Sequence, residues 1–143
     1  MTEHKITTYG PEHFGGVKTL WQEAFPDDPS WNAAEIAIPA KLAQQPDLFF
    51  VALDEGRVVG SIMAGYDGHR GWLYAVAVSN SHRRRSIGSA LVHRAEDRLR
   101  SLGCGKINLQ VRSTNIAVAE FYRRLGYLTE ERISMGKRII DPL

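Results

Sequence analysis

Apolar side chains recur every three or four residues in four segments of the chain, which is the spacing of one face of an α-helix. The predicted helices are 14–24, a segment from about residue 31 or 32 to 44, 87–102, and 115–125. Pro39 lies inside the second segment, so we expect that helix to be kinked or split there. Gly103 and Gly126 follow the third and fourth segments and are expected to end them.

Short apolar runs bounded by turn-forming residues indicate strands between these helices. The predicted strands are 6–9, 48–53, 57–65, 72–78, 106–111, and one within 129–139. Predicted turns at 54–56 and 66–71 make the middle strands an antiparallel meander. A whole helix separates 72–78 from 106–111, so these two strands should be parallel. The pattern predicts a mixed α/β (α+β) fold with an antiparallel and parallel sheet and helices on both faces.

Composition adds that the chain is an ordinary globular domain. It has 143 residues, of which 43% are hydrophobic and 24% charged, and we expect one domain over residues 1–143. No apolar run approaches the roughly 18 to 20 residues that span a bilayer, and no apolar signal core follows the N-terminus. The single Cys104 favours a reducing cytoplasm. Without partners at ligand spacing it predicts a small core residue rather than a metal site.

The formal net charge is +2 and the isoelectric point is near 8.8. This mildly basic balance suits an anionic small ligand, and it is short of what a dedicated nucleic-acid binder carries. We therefore expect neither a nucleic acid nor a membrane as the main partner.

The most informative stretch is His82–Val92, which joins an apolar strand to an amphipathic helix. Unpaired amides and the helix dipole make such a junction an anion seat, and phosphate is its usual occupant. Three successive arginines, residues 83–85, add positive charge, and the small Ser86 and Gly88 allow close approach to the backbone. The alternatives are a solvated basic surface for the arginines and a packing role for Gly88.

The spacing Arg83-x-x-Ser86-x-Gly88-x-Ala90 resembles the acyl-CoA pyrophosphate loop of the GNAT superfamily of N-acetyltransferases. Ser86 stands where the family pattern has its first glycine, and we expect its backbone not to need a positive φ. The resemblance implies a single-domain GNAT acyl-CoA N-acyltransferase fold. Two further segments, GYDGHRG and MGKRII, resemble small bacterial acetyltransferases called YpeA-like.

The resemblance also implies how acetyl-CoA, as co-substrate, is held. The backbone of Val76, Ala77 and Val78 pairs with the pantetheine arm, and one of its amides polarises the thioester carbonyl. The pyrophosphate is held by the turn, whose implied contact residues are Arg83, Arg84, Arg85, Ser86, Ile87, Gly88 and Ser89. The alternative for the strand residues is a purely structural buried strand.

Asn115 and Tyr122 are seven residues apart, which places them on one helical face about 10 Å apart along the axis. By resemblance, Asn115 contacts the cofactor and Tyr122 binds near the sulfur and protonates the leaving thiolate. A phenol near pKa 10 keeps its proton at neutral pH and can serve as that acid. The alternatives are a helix N-cap for Asn115 and a core aromatic for Tyr122.

The group that deprotonates the amine is less clearly marked. Related ribosomal-protein acetyltransferases have a Glu where this chain has Gln110, and an amide cannot accept the proton. The candidates are Asp67, His69 and Glu35, each of which could instead be an ordinary turn or surface residue. A substrate groove or the core could equally hold three aromatic residues, Trp31, Tyr66 and Trp72.

These observations favour an acetyl-CoA-dependent N-acetyltransferase that acts on a primary amine by direct attack in a ternary complex. The second hypothesis, motivated by Gln110, is a non-catalytic acyl-CoA-binding sensor or scaffold. The third is nucleic-acid binding through the three arginines, with steep salt dependence. The acceptor amine stays open, and so does a homodimer formed through edge strands near the C-terminus.

Overall fold

A computed structural model describes residues 4–83 and 86–140 of the chain, and its internal contacts group them into two units. The first unit ends at Leu109 and the second begins at Gln110. The two units are described separately below, and the single domain expected over residues 1–143 stays a prediction.

The strands of the first unit are β1 (His4–Thr8), β2 (Phe49–Asp54), β3 (Arg57–Tyr66), β4 (Gly71–Val78) and β5 (Ile107–Leu109). Its α-helices are α1 (Phe14–Ala24), α2 (Ala34–Leu42) and α3 (Ile87–Ser101). Short 3-10 turns lie at Pro11–His13, Ser30–Asn32, Pro46–Leu48 and Asn80–His82. The second unit contains α4 (Ile116–Arg124). The predicted helices and most predicted strands are therefore present, with ends that move by a few residues.

The five strands form one sheet in the order β1-β2-β3-β4-β5. The first four strands are antiparallel neighbours, and β5 is parallel to β4, which confirms the predicted mixed sheet. The β2–β3 hairpin turns through Glu55 at φ 51° and Gly56 at φ 82°. Two successive positive φ values are typical of the tight two-residue turn that matches the twist of antiparallel strands.

Neighbouring residues of β3 show that helices cover both faces of this sheet. A Cβ added to Gly60 would lie 2.9 Å from a methyl of Leu91 and 3.1 Å from one of Ile87, both on α3. The next residue, Ser61, accepts a hydrogen bond from Trp21 of α1. Because successive side chains of a strand point to opposite faces, α1 and α3 lie on opposite sides. The fold-class prediction is confirmed.

Two local expectations are corrected. The strand expected within 129–139 was wrong: no strand is assigned in the described part of the second unit, from Gln110 to Ile140. A strand exists only through hydrogen bonds to another strand, and this segment makes no such ladder; Ile133 and Met135 are each 89% exposed. The split expected at Pro39 was also wrong, because α2 runs through it without interruption. Pro39 falls in the second turn of a nine-residue helix, where few intrahelical hydrogen bonds precede it.

Lys41, in the last turn of α2, is buried against the sheet with only 6% of its surface exposed. Its ammonium group donates to the carbonyl oxygen of Ala64 in β3 and lies 5.4 Å from the centre of the Tyr74 ring in β4. Removal of the charged group from water lowers the pKa of Lys41 to about 8. Keeping the Lys41 ammonium group charged in the folded protein therefore lowers the free energy of unfolding.

This burial predicts a pH dependence of stability. The unfolded chain holds the Lys41 proton up to its ordinary pKa of 10.5, whereas the folded chain releases it near pH 8. Stability should therefore rise by about 1 to 3 kcal/mol between pH 8 and 10.5, with the full penalty below that window. Urea unfolding of the protein and of Lys41→Met should show this rise only when Lys41 is present. Lys5→Met, which removes an exposed lysine, is the control, and a Lys41→Met curve parallel to that of the parent protein would contradict the prediction.

Candidate functional site

The pairing between β4 and β5 stops half-way along β4. The parallel ladder joins Gly71 to Ile107, Trp72 to Asn108 and Leu73 to Leu109, and β5 ends there. β4 continues to Val78, and its other side stays paired with β3 through Ala77 and Val78. Among residues 4–83 and 86–109 of the first unit, no strand therefore pairs with this edge of β4 beyond Leu73. The predicted backbone site, Val76, Ala77 and Val78, lies in this stretch, where amides and carbonyls need hydrogen-bond partners.

A β-bulge lies in the same stretch. The register of β3 with β4 pairs Ser61 with Ala77 but Met63 with Tyr74, so two residues of β4, Ala75 and Val76, stand opposite one residue of β3. Ala75 has φ 52°, in the left-handed region that costs a residue with a Cβ about 1 to 2 kcal/mol. A bulge bends its strand and leaves backbone groups out of the ladder.

Two side chains hold this bulge. The hydroxyl of Ser61 donates to the carbonyl oxygen of Ala75 over 2.9 Å, and the indole Nε1–H of Trp21 donates to the Ser61 hydroxyl oxygen over 2.9 Å. Ser61 is fully buried and Trp21 is 6% exposed. Sequence reasoning missed both residues as candidates. The available signal was a single serine inside the apolar run of β3.

The basic turn leads from β4 to the start of α3. Arg83 is exposed, whereas Arg84 and Arg85 lie outside the described residues. Ser86 is the N-cap residue of α3, and the first helical hydrogen bond runs from the amide of Ala90 to the Ser86 carbonyl. The amides that precede Ala90 in α3 therefore have no acceptor within the helix, as at any helix start; they belong to Ile87, Gly88 and Ser89. This geometry and the helix dipole favour an anion there.

The expectation for the backbone of Ser86 was wrong. Its φ is 61° and its ψ is 17°, a left-handed conformation, and its side chain makes no capping hydrogen bond. Serine therefore occupies a position whose backbone suits glycine, because glycine has no Cβ to clash in this region. The small side chain of serine reduces the steric clash in this conformation, but the backbone at position 86 still requires a positive φ.

The start of the turn is fixed to the hairpin between β2 and β3. His82 is 6% exposed, and its Nε2 lies 2.7 Å from Oδ2 of Asp54 at the end of β2. Its Nδ1 lies 2.8 Å from the hydroxyl oxygen of Ser81. The second carboxylate oxygen of Asp54 is buried without a partner in the described part of the chain. Sequence reasoning placed Asp54 in the hairpin turn only, since nothing local links residues that are 28 positions apart.

The second unit holds the other two predicted residues. Asn115 is the N-cap of α4, and its Oδ1 accepts from the amide of Val118 over 3.3 Å, so the capping interpretation is confirmed. Tyr122 is 7% exposed, with its ring 5.0 Å from that of Phe121 and 5.7 Å from that of Tyr127. Burial raises the pKa of the Tyr122 phenol to about 12. Roles of Asn115 and Tyr122 toward a cofactor stay predictions.

The candidate bases are tied into local structure. Asp67 accepts from the amides of His69 and Arg70, both at 2.7 Å, and these hydrogen bonds, that of Arg70 first, lower its pKa. Glu35 is exposed and lies 2.6 Å from the ammonium group of Lys18, which lowers the pKa of Glu35. A lowered pKa makes a carboxylate a weaker base. The turn and surface interpretations of Asp67 and Glu35 therefore gain support.

The remaining candidates are spread over both units. His69 is exposed in the β3–β4 turn, and the side-chain amide of Gln110 donates to the hydroxyl of Ser134. The aromatic ring of Trp72 is 38% exposed on β4, whereas Trp31 and Tyr66 are half-buried. No cluster of three metal-ligating side chains occurs among residues 4–83 and 86–140. In the same residues, no helix is both long and apolar enough to cross a membrane.

Comparison with known proteins decides what kind of chain carries this geometry. The acetyltransferase (GNAT) family matches residues 14–127, which include the open edge of β4, the basic turn and all of α4. The chain belongs to this GNAT family. An acetyltransferase of Pectobacterium atrosepticum is 44% identical over 137 residues, with 96% of each chain covered. The predicted superfamily and an enzyme of the N-acetyltransferase class are confirmed, and the narrower YpeA-like resemblance stays a prediction.

Solved structures confirm the GNAT fold. Ard1 of Thermoplasma volcanium superposes with a TM-score of 0.79 at 24% identity, covering 87% of this chain and 82% of its own. Aminoglycoside N-acetyltransferase AAC(6')-Iy in complex with CoA superposes with a TM-score of 0.79 at 18% identity, covering 98% of this chain and 97% of its own. At these identities the similarity is one of fold.

The left-handed backbone of Ser86 predicts that glycine at this position stabilises the folded protein. Ser86→Gly should raise the unfolding free energy by about 0.5 to 1 kcal/mol, because relief of the strained φ exceeds the entropy that glycine adds to the unfolded chain. Ser86→Val should lower it by more than about 1 kcal/mol, since a β-branched residue is rare at positive φ. Urea titrations measure both.

Ser89→Gly is the matched control, because the same substitution three residues later falls inside α3 and should destabilise by about 0.5 to 1 kcal/mol. Equal losses from Ser86→Gly and Ser89→Gly would show that Ser86 has an ordinary helical or extended backbone.

Proposed function

We propose that the chain transfers an acetyl group from acetyl-CoA to a primary amine within a ternary complex. The observation that carries the proposal is the open edge of β4, which runs directly into a basic turn and the start of α3. An extended arm with amide groups can add to such an edge as a further strand, and its diphosphate can reach the helix start. The complex of AAC(6')-Iy with CoA, on the same fold, supports this choice of co-substrate.

The residues present fit a coenzyme A arm. The pantetheine portion carries amide donors and acceptors, which match the backbone groups of Val76, Ala77 and Val78 on the open edge of β4 within the described part of the first unit. The amides of Ile87, Gly88 and Ser89 and the charge of Arg83 suit the diphosphate. Arg84, Arg85 and Ser86 complete the turn in the sequence. Asn115, although engaged as an N-cap through Oδ1, keeps its side-chain NH₂ as a donor for the cofactor.

The reaction needs an oxyanion donor and an acid. The neutral amine attacks the thioester carbonyl carbon, a C–N bond forms, and the carbonyl oxygen takes the negative charge. A backbone amide of β4 near Val76 steadies this oxyanion, as oxyanion holes do. The C–S bond then breaks, and the thiolate takes a proton from the Tyr122 hydroxyl. A phenol with a pKa of about 12 carries its proton throughout the neutral range, so the proton is available for the thiolate. Because the thiol is the stronger acid, this transfer is unfavourable by itself, and it is completed when the phenolate regains a proton. Water carries the proton that the attacking nitrogen releases to the phenolate, so the products are the amide and the thiol and Tyr122 is restored.

The acceptor amine has to lose a proton during the reaction. The two candidate carboxylates, Asp67 and Glu35, are poor bases for this proton because their pKa values are lowered. Gln110 offers only an amide, and the pKa of Asp67 is lowered by two backbone hydrogen bonds. These features favour an acceptor whose amine is already largely neutral near pH 7. An α-amine, with a pKa near 7.8, is about one part in seven neutral there, whereas a lysine amine is neutral about once in 2,500.

A thermal-shift experiment tests the cofactor. Acetyl-CoA at about 100 times its dissociation constant should raise the unfolding free energy by about 2.7 kcal/mol, which gives a shift of several degrees in Tm. The stabilised protein is then given a panel of amines, and thiol release is recorded. Stabilisation without amine-dependent release would favour the acyl-CoA sensor. Stabilisation by DNA or RNA, but not by acetyl-CoA, would contradict the proposal in favour of nucleic-acid binding.

Replacement of Tyr122 tests the acid. Tyr122→Phe should keep the affinity for acetyl-CoA and lower kcat by about 100-fold, since it removes the proton donor and keeps the buried ring. Tyr127→Phe, which removes a hydroxyl from the adjoining ring, is the matched control and should keep kcat. Because the pKa of Tyr122 is about 12, the parent enzyme should lose no activity through this group up to pH 10. Equal thiol release by Tyr122→Phe and the parent protein would remove Tyr122 from the mechanism.

A further inference from the structure

The bulge in β4 lies beyond the last residue of β4 that pairs with β5. Ala75 and Val76 together face one residue of β3, and within the first unit no β5 residue pairs with β4 beyond Leu73. Ala75 also holds a positive φ of 52°, which an alanine does not adopt unless its surroundings impose it. A residue in such a conformation persists because neighbouring groups fix it.

The fixing groups are Ser61 and Trp21, and their hydrogen bonds can run in one direction only. The indole Nε1–H is a donor without acceptor capacity, so it must donate to the Ser61 oxygen. The one hydroxyl proton of Ser61 is then free to go to the carbonyl oxygen of Ala75, which has no proton to offer. We call these two hydrogen bonds, from Trp21 to Ser61 and from Ser61 to the Ala75 carbonyl, the relay. In both of them the donor lies on the α1 side, so the donors point from α1 through β3 to β4. Both side chains are buried, whereas Ala75 is half-buried, so the donors of both hydrogen bonds are shielded from water.

The relay reaches the strand at the residue immediately before the predicted acyl site. Ala75 is followed by Val76, Ala77 and Val78, whose backbone is exposed along one edge to a pantetheine arm in the proposed function. Hydrogen bonds that stabilise a developing oxyanion act best when their donors are held in place before the reaction. A shift in the bulge would move these donors relative to the thioester while leaving the diphosphate seat at the start of α3 intact.

We propose that Ser61 and Trp21 are positioning residues for acyl transfer, because their relay to the Ala75 carbonyl holds the β4 bulge and with it the backbone that meets the thioester. This assignment rests on the proposed function. It predicts that loss of the Ser61 hydroxyl lowers kcat, whereas the affinity for the diphosphate-bearing half of the cofactor stays nearly constant.

The experiment compares Ser61→Thr with Ser61→Val. Threonine and valine have the same shape and both suit a strand, so each adds the same methyl group to the buried site, and only threonine keeps the hydroxyl. Ser61→Val should lower kcat at least about tenfold relative to Ser61→Thr, with a change of less than about threefold in the Kd for CoA. Trp21→Phe should give a smaller loss of kcat, because Ser61 can still donate to Ala75. Rates are taken at a temperature at which circular dichroism shows each variant folded.

Leu99→Ala is the structural control. It opens a cavity in the buried face of α3, away from the relay, and should lower Tm while keeping kcat per folded molecule. If Ser61→Val and Ser61→Thr have equal kcat, the positioning role is overturned. If neither Ser61 variant folds, the kcat of Trp21→Phe is compared with that of Leu99→Ala. A kcat of Trp21→Phe that equals the parent value overturns the positioning role.

Measurements on the parent protein distinguish failure of the positioning role from failure of the proposed function. A parent that does not bind acetyl-CoA would overturn the proposed function and, with it, the positioning role. A parent that binds and transfers, together with a Ser61→Val variant of unchanged kcat, would overturn the positioning role alone. Partial recovery of kcat in Ser61→Val on adding Ala75→Gly, which adopts positive φ without a Cβ clash, would support it; no recovery together with normal CoA binding would count against it.

Discussion

The site depends on one constraint, which is that backbone amides and carbonyls removed from a strand ladder must find other partners. β4 is paired on both sides as far as Leu73 and on one side after it. An unpaired edge would ordinarily be a liability for a sheet protein, since it invites any extended chain. Here the edge is short, and it is followed at once by a basic turn and a helix start that suit an anion. The same backbone groups that the sheet leaves free are those that a pantetheine arm would use under the proposed function.

The C-terminal half of β4 is anchored from both ends without strand pairing on its open side. The relay from Trp21 through Ser61 holds the bulge at Ala75, and the contact between His82 and Asp54 ties the following turn to the β2–β3 hairpin. Both anchors are buried polar contacts, which are costly when any member is unsatisfied. Among the described residues, the second carboxylate oxygen of Asp54 is buried without a hydrogen-bond partner. Under the proposed function these anchors would be of use, because catalysis by fixed dipoles requires that they do not reorganise during the reaction.

The helices and the meander could be predicted because each depends on local periodicity and on turn residues close in the sequence. The parallel β4–β5 pair followed from the length of the crossover alone. The positive φ of Ser86 could not be predicted, because it follows from the path that joins the turn to α3 and not from the preference of serine. The strand expected within 129–139 is absent because apolar residues in a sequence do not by themselves supply a ladder partner. The contacts of Ser61 with Trp21 and of His82 with Asp54 link residues 40 and 28 positions apart, and no single-sequence pattern reports them.

The charge states in the two units bear on which amine the proposed reaction would accept. Burial raises the pKa of Tyr122, so its phenol stays protonated, whereas hydrogen bonds and an ion pair lower the pKa of Asp67 and Glu35 and make them weak proton acceptors. Under the proposed function, Tyr122 therefore has a proton available for the thiolate, whereas Asp67 and Glu35 are poor bases for the amine. An acceptor that arrives uncharged needs no base before it attacks, and the proton that its nitrogen carries after the attack is released to water. Between a lysine amine and an α-amine the neutral fractions at pH 7 differ by about 350-fold, or roughly 3.5 kcal/mol. Without a strong base, that difference alone would make the acceptor's own pKa a determinant of specificity.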